Sequence, residues 1–247
     1  QEVFEELFYE QILSIDIPFE EYWKKLRRDS ADISLGASDF IIENVRLYTS
    51  SHCPRRCGFC SSQSFLPESA GSAAVSIIML RAEQIVSLIR TYVDRDGARS
   101  FLFSDDDFPV GNKEGLERLR KVCELIIADK GAGRLPADLR FSCQARVLDF
   151  VRRNQGGERG IHGDLLRLMA EAGFMSIGLG VETFSDRLVK VPSVNKGGIT
   201  LDTCRLLLDF MLDIGIVPQT NLILGIPEYT ADELAATMEI AVDYLIN

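Results

Sequence analysis

Five times along this chain a short apolar stretch with strand character is followed by a longer stretch with helical spacing. The strand-like stretches are Val45–Thr49, Ser100–Ser104, Leu139–Gln144, Met175–Val181 and Ile216–Leu224. The helical ones are 81–94, Lys113–Asp129, Asp164–Ala172, Thr200–Asp213 and Glu233–Ile246. In 81–94, Ile85, Val86, Ile89 and Val93 fall on one helical face. Gly173 and Gly215 stop two helices, and Thr230 with Glu233 forms a capping box that starts the last. Strands separated by helices must run parallel and be joined by right-handed crossovers. The fold class is therefore α/β. The element lengths favour a partial (β/α)6-type TIM-like barrel, with a doubly wound open sheet as the alternative. Residues 1–44 read as a helical N-terminal extension and linker, broken at Pro18, and 45–247 as the partial barrel. A sixth strand is not visible and the first residue is Gln1, so the chain is expected to be a piece of a longer polypeptide, or a barrel completed by a partner.

With 247 residues, 46% of them hydrophobic, the chain can bury a large core. It has no apolar run near the roughly 18–20 residues that cross a membrane, and its start lacks the basic and apolar regions of a signal peptide. The net charge of -10 and the scattered Lys and Arg residues argue against a nucleic-acid binder. Six cysteines without a pairing pattern fit a reducing cytoplasm better than a secreted disulfide framework. Cys123 and Cys204 sit on apolar helix faces and read, with Cys143, as core.

The other three cysteines, Cys53, Cys57 and Cys60, have the spacing C-x3-C-x2-C. Three thiolates on one short loop fill three corners of a four-iron cluster and leave one iron open for a ligand. Gly58 permits a tight path between them. Zinc is the alternative, but it would want a fourth ligand, and His52 is adjacent to a cysteine rather than at a second-pair spacing. An electron-transfer or structural iron–sulfur protein is a further alternative, and it would bring four cysteines. His52 and His162 read as solvated.

Active sites of parallel barrels lie at the C-terminal ends of the strands. Here those ends carry the cysteines, then Asp105-Asp106-Asp107, then Gln144 and Arg146, then Glu182, then Gly225-Ile226-Pro227. This ordered set resembles the radical S-adenosylmethionine (SAM) superfamily, and within it the branch often associated with cobalamin-binding domains. The matching text is C-x3-C-x2-C with Phe59 before the last cysteine, Arg81-Ala-Glu83-Gln-Ile-Val86, Phe103-Ser-Asp105-Asp106-Asp107-Phe108, Arg146, Ala172-Gly173 through Gly178-Leu-Gly180-Val-Glu182, Lys196, and Gly225-Ile226-Pro227. It covers about residues 45–247.

The resemblance implies a [4Fe–4S] cluster on Cys53, Cys57 and Cys60. That cluster would bind SAM at its open iron and cleave it to methionine and a 5′-deoxyadenosyl radical. It implies SAM contacts from Phe59 and Ile226 near the adenine, with Gly225 contributing backbone. Asp105 and Asp106 would stand near the ammonium and sulfonium charges, Glu182 at the ribose and Arg146 at the carboxylate, with Gln144 and Lys196 beside them. Asp107 reads as turn. It also implies an external electron donor of the flavodoxin or ferredoxin kind and a small-molecule or peptide substrate. Cobalamin could bind outside this chain, which lacks the Asp-x-His-x-x-Gly signature. Candidate reactions include methyl transfer, ring formation, methylthiolation and rearrangement.

Overall fold

The computed structural model describes residues 2–31, 42–62, 76–153 and 159–246. Most of the expected linker at Ser30–Asp39, of the loop at 61–74 and of the first half of the Gly-rich stretch 156–163 lies outside the described residues. Five strands form one parallel sheet: β1 (Asn44–Leu47), β2 (Ser100–Phe103), β3 (Arg140–Arg146), β6 (Phe174–Glu182) and β7 (Val217–Leu222). Their order across the sheet, β1-β2-β3-β6-β7, is chain order. A doubly wound sheet reverses its strand order at a switch point. This one does not, and it forms the wall of a partial (β/α) barrel. Between β3 and β6 lies a small antiparallel ladder, β4 (Val151–Arg153) with β5 (Arg159–Ile161). Sequence periodicity does not reveal it, because three-residue strands are too short to show alternation.

Seven helices are described. The first two, α1 (Glu2–Ser14) and α2 (Phe19–Ala31), are separated at Pro18, where the sequence places the break. The others are α3 (Ala82–Asp96), α4 (Lys113–Gly131), α5 (Gly163–Ala172), α6 (Leu201–Asp213) and α7 (Ala231–Ile246). Gly173 ends α5 at φ +107, and a Cβ there would lie 2.6 Å from the Leu139 carbonyl oxygen. At the start of α7 the Glu233 amide donates to Thr230 Oγ1, and the Thr230 amide donates back to the Glu233 carboxylate.

Alternate strand residues point to opposite faces. One face presents Val45, Leu47, Phe101, Phe103, Phe141, Cys143, Ile177 and Leu179, all buried in one core with the apolar sides of α3, α4, α5 and α6. Phe103 stacks on Phe108 with centroids 4.2 Å apart, and Phe141 packs on Phe174 at 5.5 Å. Each such ring contributes roughly 1.5–3 kcal/mol by leaving water. Cys123, Cys143 and Cys204 are free and buried here, as core residues. Outside this layer, Phe19 packs against both Trp23 and Tyr92, and the Tyr9 hydroxyl donates to Ser87 Oγ, so α1 and α2 lie on α3. Among the described residues no helix is long and apolar enough to cross a membrane.

Candidate functional site

The other face of the sheet is polar, and the strand register arranges it in rows. Arg46, Leu102, Ser142, Ser176 and Val217 are aligned across the five strands. Two residues further on, Gln144, Gly178 and Gln219 are aligned, and then Arg146, Gly180 and Asn221. All five strands are parallel, so these last rows, the cysteine loop and the loops after β2, β6 and β7 share one rim.

The cysteine loop is clamped from the far side of that rim. Gly58 donates its amide to the Val194 carbonyl at 3.2 Å, and Asn195 Nδ2 donates to the Arg56 carbonyl at 2.7 Å. A Cβ at Gly58 would lie 2.0 Å from the Pro192 carbonyl oxygen. Glycine is therefore required by contact with the 192–195 turn as well as by the path of the loop. Asn195 itself takes φ +52, a left-handed conformation that asparagine tolerates better than most residues. Ile226, after β7, packs with Leu188 and Val194, which brings the Gly225-Ile226-Pro227 turn to the same clamp. Gly225 faces open space.

Lys196 joins the clamp to the polar face. Its Nζ pairs with Glu182, donates to the Gly180 carbonyl at 3.0 Å, and stands 5.6 Å from the centroid of the Phe59 ring. Both partners of the ion pair are buried, while Phe59 is 45% exposed. Glu182 sits at a register shift between β6 and β7 with φ +67, a rare conformation for a residue with a Cβ. Such strain persists where surrounding contacts over-determine it, and it concentrates at functional sites. The two glycines of β6 make room for side chains. A Cβ at Gly178 would meet Gln144 Oε1 at 2.2 Å, and one at Gly180 would meet Lys196 Nζ at 2.4 Å. Arg146, half-buried beside them, keeps its Nε buried without a hydrogen-bond partner.

Thus Phe59, Gln144, Arg146, Glu182 and Lys196 converge around the end of β6. The acidic residues after β2 diverge. Asp105 is buried, and its carboxylate accepts from the Thr49 amide at 2.9 Å, Thr49 Oγ1 at 3.0 Å and Ser50 Oγ. Arg118 braces the same point, donating to Thr49 Oγ1 at 3.1 Å and to the Phe108 carbonyl at 2.7 Å. Asp105 thereby holds the root of the cysteine loop. Asp106 is exposed. Asp107, read from sequence as turn, does lie in a turn, but it is buried there and reaches Arg55 of the cysteine loop at 3.2 Å. Asp149 stands behind it. Nothing in the local pattern marks Asp149. The polar alternation of Arg140, Ser142, Gln144 and Arg146, by contrast, is a legible sign of the open face. His162 is half-buried rather than solvated, and burial lowers its pKa.

Cys53, Cys57 and Cys60 lie on one loop as free thiols, Cys57 buried. Among the described residues no group of three or more His, Cys, Asp or Glu is gathered to hold a metal ion. Burial pushes the Cys53 thiol up to about 11, with Asp107, Asp106 and Cys57 adding to the effect and the Arg55 amide opposing it. A bound cation would reverse that balance by stabilising thiolate. The donor chemistry, three sulfurs on one loop, fits an iron–sulfur cluster with an open position.

The chain matches the radical SAM superfamily over residues 47–241. It is 25% identical over 192 residues to the anaerobic magnesium-protoporphyrin IX monomethyl ester cyclase of Rubrivivax gelatinosus, a match covering 78% of this chain and 29% of that protein. Among solved structures it resembles a radical SAM methyltransferase, TsrM, from Kitasatospora setae, with a TM-score of 0.63 at 17% identity, over 81% of this chain and 34% of that one. It also resembles the cobalamin-dependent radical SAM enzyme OxsB, with a TM-score of 0.60 at 19% identity, over 82% of this chain and 26% of that one. The chain thus spans about a third or less of these relatives, and the structural likenesses are likenesses of fold. With the match running from the end of β1 into α7, the chain belongs to the radical SAM superfamily of enzymes.

Proposed function

We propose that this chain binds a [4Fe–4S] cluster through Cys53, Cys57 and Cys60 and cleaves SAM reductively to start a radical reaction on a substrate seated against the polar face. The observation that carries this reading is the convergence of Phe59, Gln144, Arg146, Glu182 and Lys196 on the rim beside the cysteine loop, with one guanidinium N–H of Arg146 left without a partner. When bound, the cluster supplies one electron to the SAM sulfonium, giving methionine and a 5′-deoxyadenosyl radical.

The chain's own residues bind and orient. Arg146 offers its free donor to the SAM carboxylate, a charge-assisted bond of the stronger kind. Glu182 accepts from ribose hydroxyls, with Lys196 holding its carboxylate in place. Phe59 and the Gly225-Ile226 turn line the adenine, and Asp106 faces the positive charges of SAM. Asp105 keeps the root of the loop fixed, and Gln144 fills the space over Gly178. The substrate is a small molecule or peptide, and the electron comes from a flavodoxin- or ferredoxin-like donor in a reducing cytoplasm. Two similar structures are described as those of cobalamin-bound or cobalamin-dependent enzymes. Cobalamin, if used here, is held by sequence outside this chain.

Equilibrium dialysis of SAM against anaerobically reconstituted protein tests the reading, with metal analysis alongside. Iron and sulfide in equal amounts, and SAM binding weakened at least tenfold by Arg146→Met, are expected. One zinc without sulfide, or binding indifferent to Arg146, would overturn it.

A further inference from the structure

The charged residues of the five sheet strands are Arg46, Arg140, Arg146 and Glu182. All three arginines lie on the polar face, in a chain with 37 acidic residues against 27 basic. The carboxylate of Glu182 is neutralised by Lys196. Carboxylates near the face are engaged or lie beyond it. Glu43, just before β1, pairs with Arg27. Asp105 and Asp107, after β2, are bonded to the root of the cysteine loop and to Arg55. Asp106 lies past the strand end, where its charge acts on Cys53. The face is therefore positive on a negative protein, and such a field draws anions.

Arg46 is the arginine of this face with nothing to hold. It is exposed, and among the described residues it has no hydrogen-bond, ion-pair or ring partner, whereas Arg140 is engaged. Its neighbours on the face are largely apolar. Leu102 is aligned beside it on β2. Tyr48, two residues further on, is 58% exposed between the buried Leu47 and Thr49, so alternation puts its ring on the same face. A guanidinium against apolar neighbours on the inner side of a barrel wall is costly until an anion meets it. Arg46 is aligned, through Leu102, with Ser142 on β3. At about 3.3 Å per residue along a strand and about 4.8 Å between strands, its Cα is about 12 Å from that of Arg140 and about 16 Å from that of Arg146. One isolated guanidinium matches one carboxylate in a planar two-point fork, and it would leave a phosphate dianion half compensated.

We propose that the substrate is an organic acid with a planar, apolar body, its carboxylate held by Arg46 and its body lying along Tyr48 and Leu102. The row of Arg146 and Gly180 is about 13 Å further along the strands. The body therefore spans at most about that length between its carboxylate and the rim where SAM is cleaved. This seat is a substrate site only if the chain performs the radical chemistry proposed above.

Isothermal titration calorimetry on the anaerobically reconstituted protein, without dithionite, tests the seat with two probes of one shape, para-phenylbenzoate and its neutral amide, para-phenylbenzamide. The wild type should bind the acid at least tenfold more tightly than the amide, because a charge-assisted fork replaces an ordinary hydrogen bond. Arg46→Gln should bring the two within about twofold. Tyr48→Ala should weaken both several-fold and alike, since the ring touches the shared body. Arg152→Gln, which removes an exposed arginine of the β4–β5 ladder, should keep the preference. Arg46 and Tyr48 are exposed, so their variants should fold, and circular dichroism checks that they do. Acid and amide bound alike or not at all, a preference that survives Arg46→Gln, or affinities untouched by Tyr48→Ala would overturn the proposal. A protein that cleaves SAM yet ignores the acid refutes this seat alone. One that prefers the acid through Arg46 and forms no 5′-deoxyadenosine refutes the radical chemistry instead.

Discussion

Replacing Gly58 with alanine places a methyl group where the 192–193 backbone already sits. The new Cβ would lie 2.0 Å from the Pro192 carbonyl oxygen and 2.9 Å from the Ser193 carbonyl carbon and oxygen, and no side-chain rotation can clear backbone atoms. Either the cysteine loop or the turn must move. That movement breaks the Gly58–Val194 bond and strains the Asn195–Arg56 bond. A hydrogen bond is worth about 1 kcal/mol net, and forcing a methyl into a packed contact costs about 1–3 kcal/mol. The sum is about 2–4 kcal/mol, which for a domain of this size lowers Tm by about 5–10 °C. Thermal unfolding followed by circular dichroism under reducing conditions reads the effect, and iron uptake on reconstitution should fall with it. A Gly58→Ala protein melting within about 1 °C of the wild type would refute the clamp, because an overlap this severe cannot be absorbed without cost.

Other perturbations have equally definite expectations. Lys196→Met strands the Glu182 carboxylate in a buried site and should cost about 3–5 kcal/mol in denaturant unfolding, whereas a loss under about 1 kcal/mol would show the pair to be solvated. Arg90 and Arg134 hold the Asp129 carboxyl below the usual carboxylate range. Its stabilisation is therefore complete above the unfolded value of about 4 and is lost as pH falls through the native one. Urea midpoints should show Asp129→Asn weaker than the wild type at pH 6 and converging with it in acid; a gap that is constant with pH would contradict the assignment. Gly131→Ala, in the last turn of α4 with open space around it, should raise stability by about 0.5–1 kcal/mol in the same assay, and a loss would mean that the glycine has a role the geometry does not show.

What was legible in the sequence, and what was not, follows from the range of the interactions. The five strands and their helices are written in local periodicity, and their parallel pairing follows from the alternation alone. Gly173 and the Thr230–Glu233 box are local signals and act as such. The rim residues at strand ends could be named because a parallel sheet puts all its C-terminal ends together. Their partners could not be. Glu182 was as compatible with Arg146 as with Lys196, and only the fold of the 191–196 turn brings Lys196 to it. Nor does any local pattern announce that Gln144 and Lys196 occupy the space left by the missing Cβ atoms of Gly178 and Gly180. Asp149 was invisible. It is 94 residues from Arg55 in sequence, and no spacing rule connects a cysteine loop to the turn after the third strand. Asp107 was hidden among three consecutive aspartates, whose burial alternates with the direction of the backbone.

The proposed role of the three loop cysteines, reductive cleavage of SAM, is tested most directly by turnover. After anaerobic reconstitution with iron and sulfide, dithionite and SAM are added and 5′-deoxyadenosine is measured by chromatography. Product is expected from the wild type and none above background from Cys57→Ala. A wild-type protein with a full cluster and no 5′-deoxyadenosine, or a Cys57→Ala protein that keeps both cluster and product, would contradict it.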